Sequence, residues 1–247
     1  MSDPHARIAE LEAALGAARR EMQAFTYTVS HDLRAPLRHI VSYAQLVQED
    51  AGPQLGAEVL GFLATITDSA RHLSAMLDGL LELSRVGTVP LQWSEVPLQA
   101  LVQEVMAELG RDGASSAVAW RIAPEMPMVH ADAALLRQAL LQVLGNAVKF
   151  SGPRAQSGIE VEAASDVARG RVSVTVRDAG VGLRMAGLDT TFPPFQRLHP
   201  KGQFAGLGMG LALAHKGLQR LGAGLQVVSA VGEGCSVSLT GLRPVAA

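Results

Sequence analysis

The stretch VSHDLRAPL, residues 29–37, sets a histidine beside an acid (His31, Asp32), follows them with Arg34, and places Pro36 inside a helical pattern. Its surroundings decide the fold. Before and into it, Ile8, Leu11, Leu15, Ala18, Met22, Phe25 and Val29 recur at alternating spacings of three and four, which is a heptad seam. A second seam runs through Val59, Leu63, Ile66, Ala70, Leu73, Leu77 and Leu80. Between the seams lies EDAGPQLGAE, residues 49–58, a Gly- and Pro-containing turn. Two long helices and a short turn make an antiparallel hairpin. One hairpin leaves its apolar stripe half covered, so a second copy is expected to complete a dimeric four-helix bundle. From the seams alone, a plain dimerisation coil fits equally well. His31 lies two positions past Val29, about 200° round the helix, and so faces away from the seam. Pro36 lacks a backbone donor and is expected to bend the helix just past the histidine.

Composition sets the bounds. The 247 residues are 48% apolar, enough for one large or two small packed domains. A net charge of -2 creates no field for nucleic acid or an anionic membrane. Cys235 is the single cysteine, so neither a disulfide framework nor a cysteine zinc cluster can form. That suits a reducing compartment. No apolar run reaches the length of a bilayer span, and the polar start MSDPHARIAELE is unlike a secretory signal. A cytoplasmic chain is expected.

After the second seam, GTVPLQWSEVPL (87–98) carries two prolines and no helical period, and reads as a linker. The pattern then changes. VPLQALVQEVMAELG reads as a helix and SAVAWRI as a strand. ADAALLRQALLQVLGNAVKF reads as a long helix capped by Asp132. SGIEVEAA and RVSVTVRD alternate with period two. GMGLALAHKGLQRLG reads as a glycine-ended helix, and LQVVSAV and GCSVSLTGL as two further strands. Mostly antiparallel strands with interspersed helices predict an α/β sandwich with helices on one face. The fold class is α+β, a helical hairpin followed by this sandwich.

Four stretches of the second region carry chemistry. On the helix at 132–150, Gln138, Gln142, Asn146 and Lys149 form a polar stripe beside the apolar face of Leu136, Leu140, Val143 and Ala147. Amide oxygens suit a hard cation such as Mg²⁺, and an ammonium suits phosphate. A solvated face would show the same pattern. RDAGVGL (177–183) ends a strand with Asp178, Gly180 and Gly182, where glycines admit a close ligand and a carboxylate can accept from an exocyclic amine. An ordinary turn would read alike. GLGMGLAL (206–213) leads a glycine loop into a helix, a ready anion site. It lacks the βαβ setting of a dinucleotide fold and the Gly-Lys-Ser/Thr of a P-loop. The intervening RMAGLDTTFPPFQRLHPKGQFA carries Phe192, Phe195, Arg197 and Lys201 and has the character of a lid over a nucleotide.

Taken in order, these pieces resemble the sensor histidine kinases of two-component signalling, from about residue 22 to the end. VSHDLRAPLRHI resembles the H box, LLQVLGNAVKF the N box, RDAGVGL the G1 box, FPPFQRLH the F box and GLGMGLAL the G2 box. HDLRAPLR and FQRLH look most like the phytochrome-type and related sensors. The resemblance implies an N-terminal coiled-coil signalling helix (1–21), a dimerisation and phosphotransfer hairpin (22–88) and a catalytic ATP-binding domain of the histidine kinase/Hsp90-like type (89–247). It implies ATP-dependent phosphorylation of His31, with Asp32 as general base, and phosphotransfer to an aspartate of a response regulator receiver domain. It implies that Asn146, with Gln142, would ligate Mg²⁺ and that Lys149 would meet phosphate oxygens. Phe150 would pack near the adenine, and Asp178 would accept from its amino group. Gly180 and Gly182 would shape the wall, and Arg197 and Lys201 would stabilise the transferring phosphoryl group. Gly206, Gly208 and Gly210 would frame the triphosphate. A homodimer and an upstream sensor domain are expected, with no nucleic acid partner and no membrane segment.

Three positions depart from the family pattern. Gln142 stands where a second Asn or a Glu is usual, and adds a methylene to a metal-ligating reach. Ala179 replaces the usual Asn of the G1 box. Ala35 stands four residues after His31, where Thr or Asn would position a water for dephosphorylating the partner, so a kinase without efficient phosphatase activity is expected. Two other readings fit parts of the chain: a degenerate kinase acting as an ATP-binding dimeric scaffold, and a chaperone or repair-clamp ATPase of the same nucleotide-binding superfamily. The His-Asp-x-x-x-Pro hairpin opposes the second.

Overall fold

The computed structural model describes residues 4–111, 118–151, 158–166, 168–185, 190–200 and 203–245. The chain divides into two compact units, Met1–Arg85 and Val86–Ala247.

The first unit is built from two helices, α1 (Pro4–Ala51) and α2 (Ala57–Val86), whose last residue falls in the second unit. A short 3-10 turn at Gly52–Gln54 joins them, with Leu55 N–H donating to the carbonyls of Ala51 and Gly52. The turn expected at 49–58 is present but shorter, because Glu49 and Asp50 continue α1. The helix runs through Pro36 without a break. Proline has no N–H, so the Asp32 carbonyl, one turn back and next to His31, loses its helical donor. Leu37, Ala70 and Leu77 are buried together with Val41 against them, and Arg34 Nη2 donates to Asp78 Oδ1 at 2.8 Å across the hairpin. Most of the seams lie open in the single chain: Leu11, Leu15, Phe25, Ile66 and Leu73 are exposed.

The second unit is a seven-stranded sheet with helices. Its elements are β1 (Trp93–Pro97), α3 (Leu98–Arg111), β2 (Ala119–Ile122), β3 (Met128–Asp132), α4 (Ala133–Ser151), β4 (Gly158–Asp166), β5 (Arg171–Asp178), α5 (Gly210–Arg220), β6 (Gly224–Ser229) and β7 (Cys235–Pro244). The strand order is β1-β3-β7-β5-β4-β2, with β6 also paired to β7. All pairs are antiparallel except β2–β4, which is parallel. Alternate strand residues are buried (Ile159, Val161; Val172, Val174, Val176). α4 packs on β4 and β5 with Leu136, Leu140, Val143 and Leu144 fully enclosed, so the apolar sheet face and the apolar helix face close one core.

Two strands were not legible in the sequence. The linker expected over 87–98 is corrected by β1 and by the start of α3 at Leu98. Both prolines fall outside interior ladder positions: Pro90 precedes the strand and Pro97 ends it. β3 is too short for its alternation to stand out, and it forms because β1 and β7 supply its partners. The Asp132 cap is as expected. Its Oδ1 accepts from Leu135 N–H at 3.0 Å, and Oδ2 accepts from Gln92 N–H at 2.7 Å. α5 ends at Arg220 with Leu221 as its C-cap, and Gly222 just after it has a φ of 70° that suits a left-handed C-terminal cap.

Candidate functional site

His31 and Asp32 sit on α1. Their side chains are 69% and 70% exposed, and His31 Nδ1 lies 3.1 Å from Asp32 Oδ1. With the proton on Nδ1, the imidazole donates to the carboxylate and leaves the Nε2 lone pair free. The ring of Tyr27, one turn earlier, is stacked on His31 at 6.4 Å between centroids. Ser30 beside it is fully buried, so the outward direction of His31 follows from helical phase.

The remaining residues converge in the sheet domain. α4 buries its apolar face and leaves Gln138, Gln142, Asn146 and Lys149 half-buried along one side. The glycine loop runs beside that stripe. A Cβ at Gly210, the first residue of α5, would lie 2.9 Å from Gln142 Oε1 and 3.3 Å from Asn146 Nδ2. A Cβ at Gly206 would lie 3.0 Å from Lys149 Nζ, and the φ of 127° there is one that L side chains rarely adopt. The bare backbone lets residues 206–210 approach the two amides and the ammonium. Gly208 instead backs onto the Gln196 carbonyl, which ties the loop to the F-box segment.

Asp178 closes β5 opposite Cys235 of β7. Its Oδ1 accepts from Gly180 N–H at 2.9 Å. Burial raises its pKa against the pull of hydrogen bonds from the Gly180 and Cys235 backbone. Burial, and next the Asp178 charge, push the Cys235 thiol up to about 11, so it stays protonated. The turn after Asp178 leans on the end of α4: Val181 N–H donates to the Phe150 carbonyl at 3.4 Å. Gly182 packs against the Ala230 carbonyl, and Ser229 Oγ accepts from Leu183 N–H at 2.8 Å.

The expected lid is irregular throughout its described residues: between Asp178 and Gly210 they form no helix or strand. Phe192 and Phe195 hold φ of 48° and 65°, strained values for aromatic residues. Arg197 Nη2 donates to the Phe204 carbonyl at 2.8 Å. Phe150, expected beside the adenine, meets the rings of His199 and Phe204 at 4.7 and 4.9 Å, with the Lys149 ammonium 4.7 Å from its own centroid. Burial, then the Arg197 charge, lowers the Lys149 pKa. Lys201 lies outside the described residues.

Sequence reading therefore found the residues that come together around α4, the G1 turn and the glycine loop. It missed Cys235, Ser229, His199 and Phe204. Cys235 is coupled to Asp178 only through the register of β5 on β7, which no local pattern encodes. His199 lies in the F-box stretch between Arg197 and Lys201, and that position between two cations was the available signal.

The carboxylate, the amide pair, the two cations and the glycine turns suit a nucleotide with a polyphosphate. The amide oxygens of Gln142 and Asn146 are neutral. They fit a divalent cation only if phosphate oxygens and water complete its shell, and no cluster of three His, Cys, Asp or Glu that could hold a metal occurs among the described residues.

Residues 21–88 match the family model of the His Kinase A (phospho-acceptor) domain, and residues 131–243 that of the histidine kinase-, DNA gyrase B-, and HSP90-like ATPase. Cyanobacterial phytochrome B of Nostoc sp. is 30% identical over 94% of this chain and 31% of its own length. The methanogenesis regulatory histidine kinase FilI of Methanothrix harundinacea is 31% identical over 95% of this chain and 26% of its own. The chain thus spans less than a third of these curated relatives. Among solved structures, full-length ShkA in complex with AMPPNP superposes with a TM-score of 0.63 at 27% identity, covering 91% of this chain and 47% of that one. With both family models matched in sequence order, this chain belongs to the sensor histidine kinases, of which it carries the phospho-acceptor and ATPase domains.

Proposed function

We propose that this chain phosphorylates His31 from ATP and passes the phosphoryl group to an aspartate of a response regulator receiver domain. The observation that carries this is the exposed imidazole with Nδ1 against Asp32, in a chain that also holds the amide stripe and the glycine loop. Nε2 of His31 attacks the γ-phosphorus. The N–P bond forms, the bond from γ-phosphorus to the β,γ-bridging oxygen breaks, and ADP leaves with that electron pair. Positive charge grows on the imidazole, and Asp32 stabilises it and accepts the Nδ1 proton. Transfer of this kind is mostly positioning and electrostatics. Lys149 and Arg197 set cations where phosphate charge accumulates. Asp178, backed by Gly180, accepts from the adenine amine. That the full-length ShkA structure is a complex with AMPPNP supports nucleotide binding by this chain. Asn146 and Gln142 would hold Mg²⁺, which when bound neutralises phosphate charge.

The open seams favour a homodimer, since pairing two hairpins would bury Leu11, Leu15, Phe25 and Leu73. No helix among the described residues is long and apolar enough to cross a membrane, in keeping with a module that works in the cytoplasm downstream of a sensor domain. At Ala35 no side chain can position water, so the reading includes weak phosphatase activity. The test is label transfer from γ-labelled ATP with Mg²⁺. Acid-labile, base-stable label in the wild type, absent in His31→Gln and Asn146→Ala, is expected. A folded wild-type chain that takes no label overturns the reading.

A further inference from the structure

Resting on that kinase reading, we propose that His199 is a nucleotide-binding residue, and that its buried Nε2 donates a hydrogen bond to an oxygen of the bound phosphate chain. His199 sits in a triangle of rings with Phe150 and Phe204, at 4.7 and 5.0 Å, while Phe150 and Phe204 are 4.9 Å apart. A ring alone would satisfy that packing, and phenylalanine would supply one without a polar atom. The imidazole instead brings Nε2 into a place hidden from solvent, where it finds no hydrogen-bond partner among the described residues. A buried polar group left unpaired keeps its desolvation penalty with nothing to offset it, and native structures keep one chiefly where a water, an ion or a ligand meets it.

The surroundings specify which ligand. Lys149 precedes Phe150 in the chain and lies against its ring, and Arg197 is two residues before His199 and tied to the Phe204 carbonyl. Burial, then the Lys149 charge, lowers the His199 pKa, so the ring is neutral and carries one proton. Next to the Lys149 charge the missing partner is an anion, and a phosphate oxygen accepts from Nε2–H. The same contact would register the F-box segment, through Phe204 and Phe150, to the end of α4 that carries Asn146 and Lys149.

The test is calorimetric titration of the full chain with MgATP, MgADP and adenosine. His199→Phe keeps the ring triangle and removes the donor. It is expected to weaken MgATP and MgADP about tenfold, the loss of about 1.4 kcal/mol, with adenosine affinity within about twofold and nucleotide-free Tm preserved. His199→Gln, which keeps an N–H, is expected to recover part of the affinity, and serves if His199→Phe fails to fold. Unchanged MgATP affinity in His199→Phe overturns the proposal, as does an equal loss for adenosine. A wild type that labels His31 while His199→Phe binds normally overturns this proposal alone. A wild type that binds no nucleotide overturns the kinase reading and this proposal with it.

Discussion

The two units of this chain solve the same burial problem in opposite ways. The sheet domain closes its core within itself: Leu98, Leu136, Leu140, Ile159, Leu218 and Leu239 are fully enclosed by their own chain. Among its described residues the hairpin buries Leu37, Ala44, Ala70 and Leu77, and leaves Ile8, Leu15, Phe25 and Leu73 in the open. The first covers its large apolar side chains with its own chain, whereas the second leaves an apolar stripe uncovered. Chemistry is divided along the same line. The hairpin presents His31 on an exposed face, against the exposed Tyr27 ring and the Asp32 carboxylate, and the sheet domain keeps Asp178 partly buried, at a cost to its own stability.

That contrast predicts what substitutions do. The largest effect on activity with the smallest on structure belongs to His31→Gln: phosphorylation falls to background while circular dichroism and Tm stay those of the wild type. A large Tm change would show that His31 is not the exposed group that the 69% exposure of its side chain indicates. Asp178→Asn follows. Losing a hydrogen bond to a charged acceptor weakens MgATP by about tenfold to a hundredfold, measured by titration.

The same variant should stabilise the nucleotide-free domain. Burial raises the Asp178 pKa, so the folded chain holds this proton more tightly than the unfolded one. The carboxyl favours folding where it is protonated, and that contribution is lost as pH rises through and above the ordinary carboxylate range. The Tm advantage of Asp178→Asn over wild type is therefore larger at neutral than at mildly acidic pH. An advantage that does not change with pH breaks the argument.

Leu140→Ala removes a fully buried side chain from the sheet core and should cost about 2–5 kcal/mol. Denaturant unfolding should show the loss while the oligomeric state persists. Phe25→Glu should do the reverse, shifting sedimentation from dimer to monomer with unfolding of the sheet domain unaltered. The smallest effect is expected from Pro36→Ala. It returns an N–H to the orphaned Asp32 carbonyl, stiffens α1 beside His31, and should slow labelling a few-fold with ATP affinity unchanged. An unchanged labelling rate would leave Pro36 without a functional role.

Periodicity and punctuation determined much of this protein by themselves. Heptad spacing and one Gly-Pro turn specify the hairpin, because the helical repeat maps residue number onto direction, and that places His31 outward. The same rule lays Gln142, Asn146 and Lys149 along one line of α4, and an Asp before an apolar-periodic run marks its own cap. Tertiary structure decided the rest. β1 and β3 are strands because of neighbours far away in sequence, and strand pairing carries no local signature. Register on β7 put Cys235 beside Asp178. Packing of the F-box segment against the end of α4 carried the Phe150 ring to His199 and Phe204, and buried an imidazole nitrogen with no partner among the described residues. Such contacts join residues tens of positions apart, and their identity is settled only when side chains of particular shape meet in a closed core.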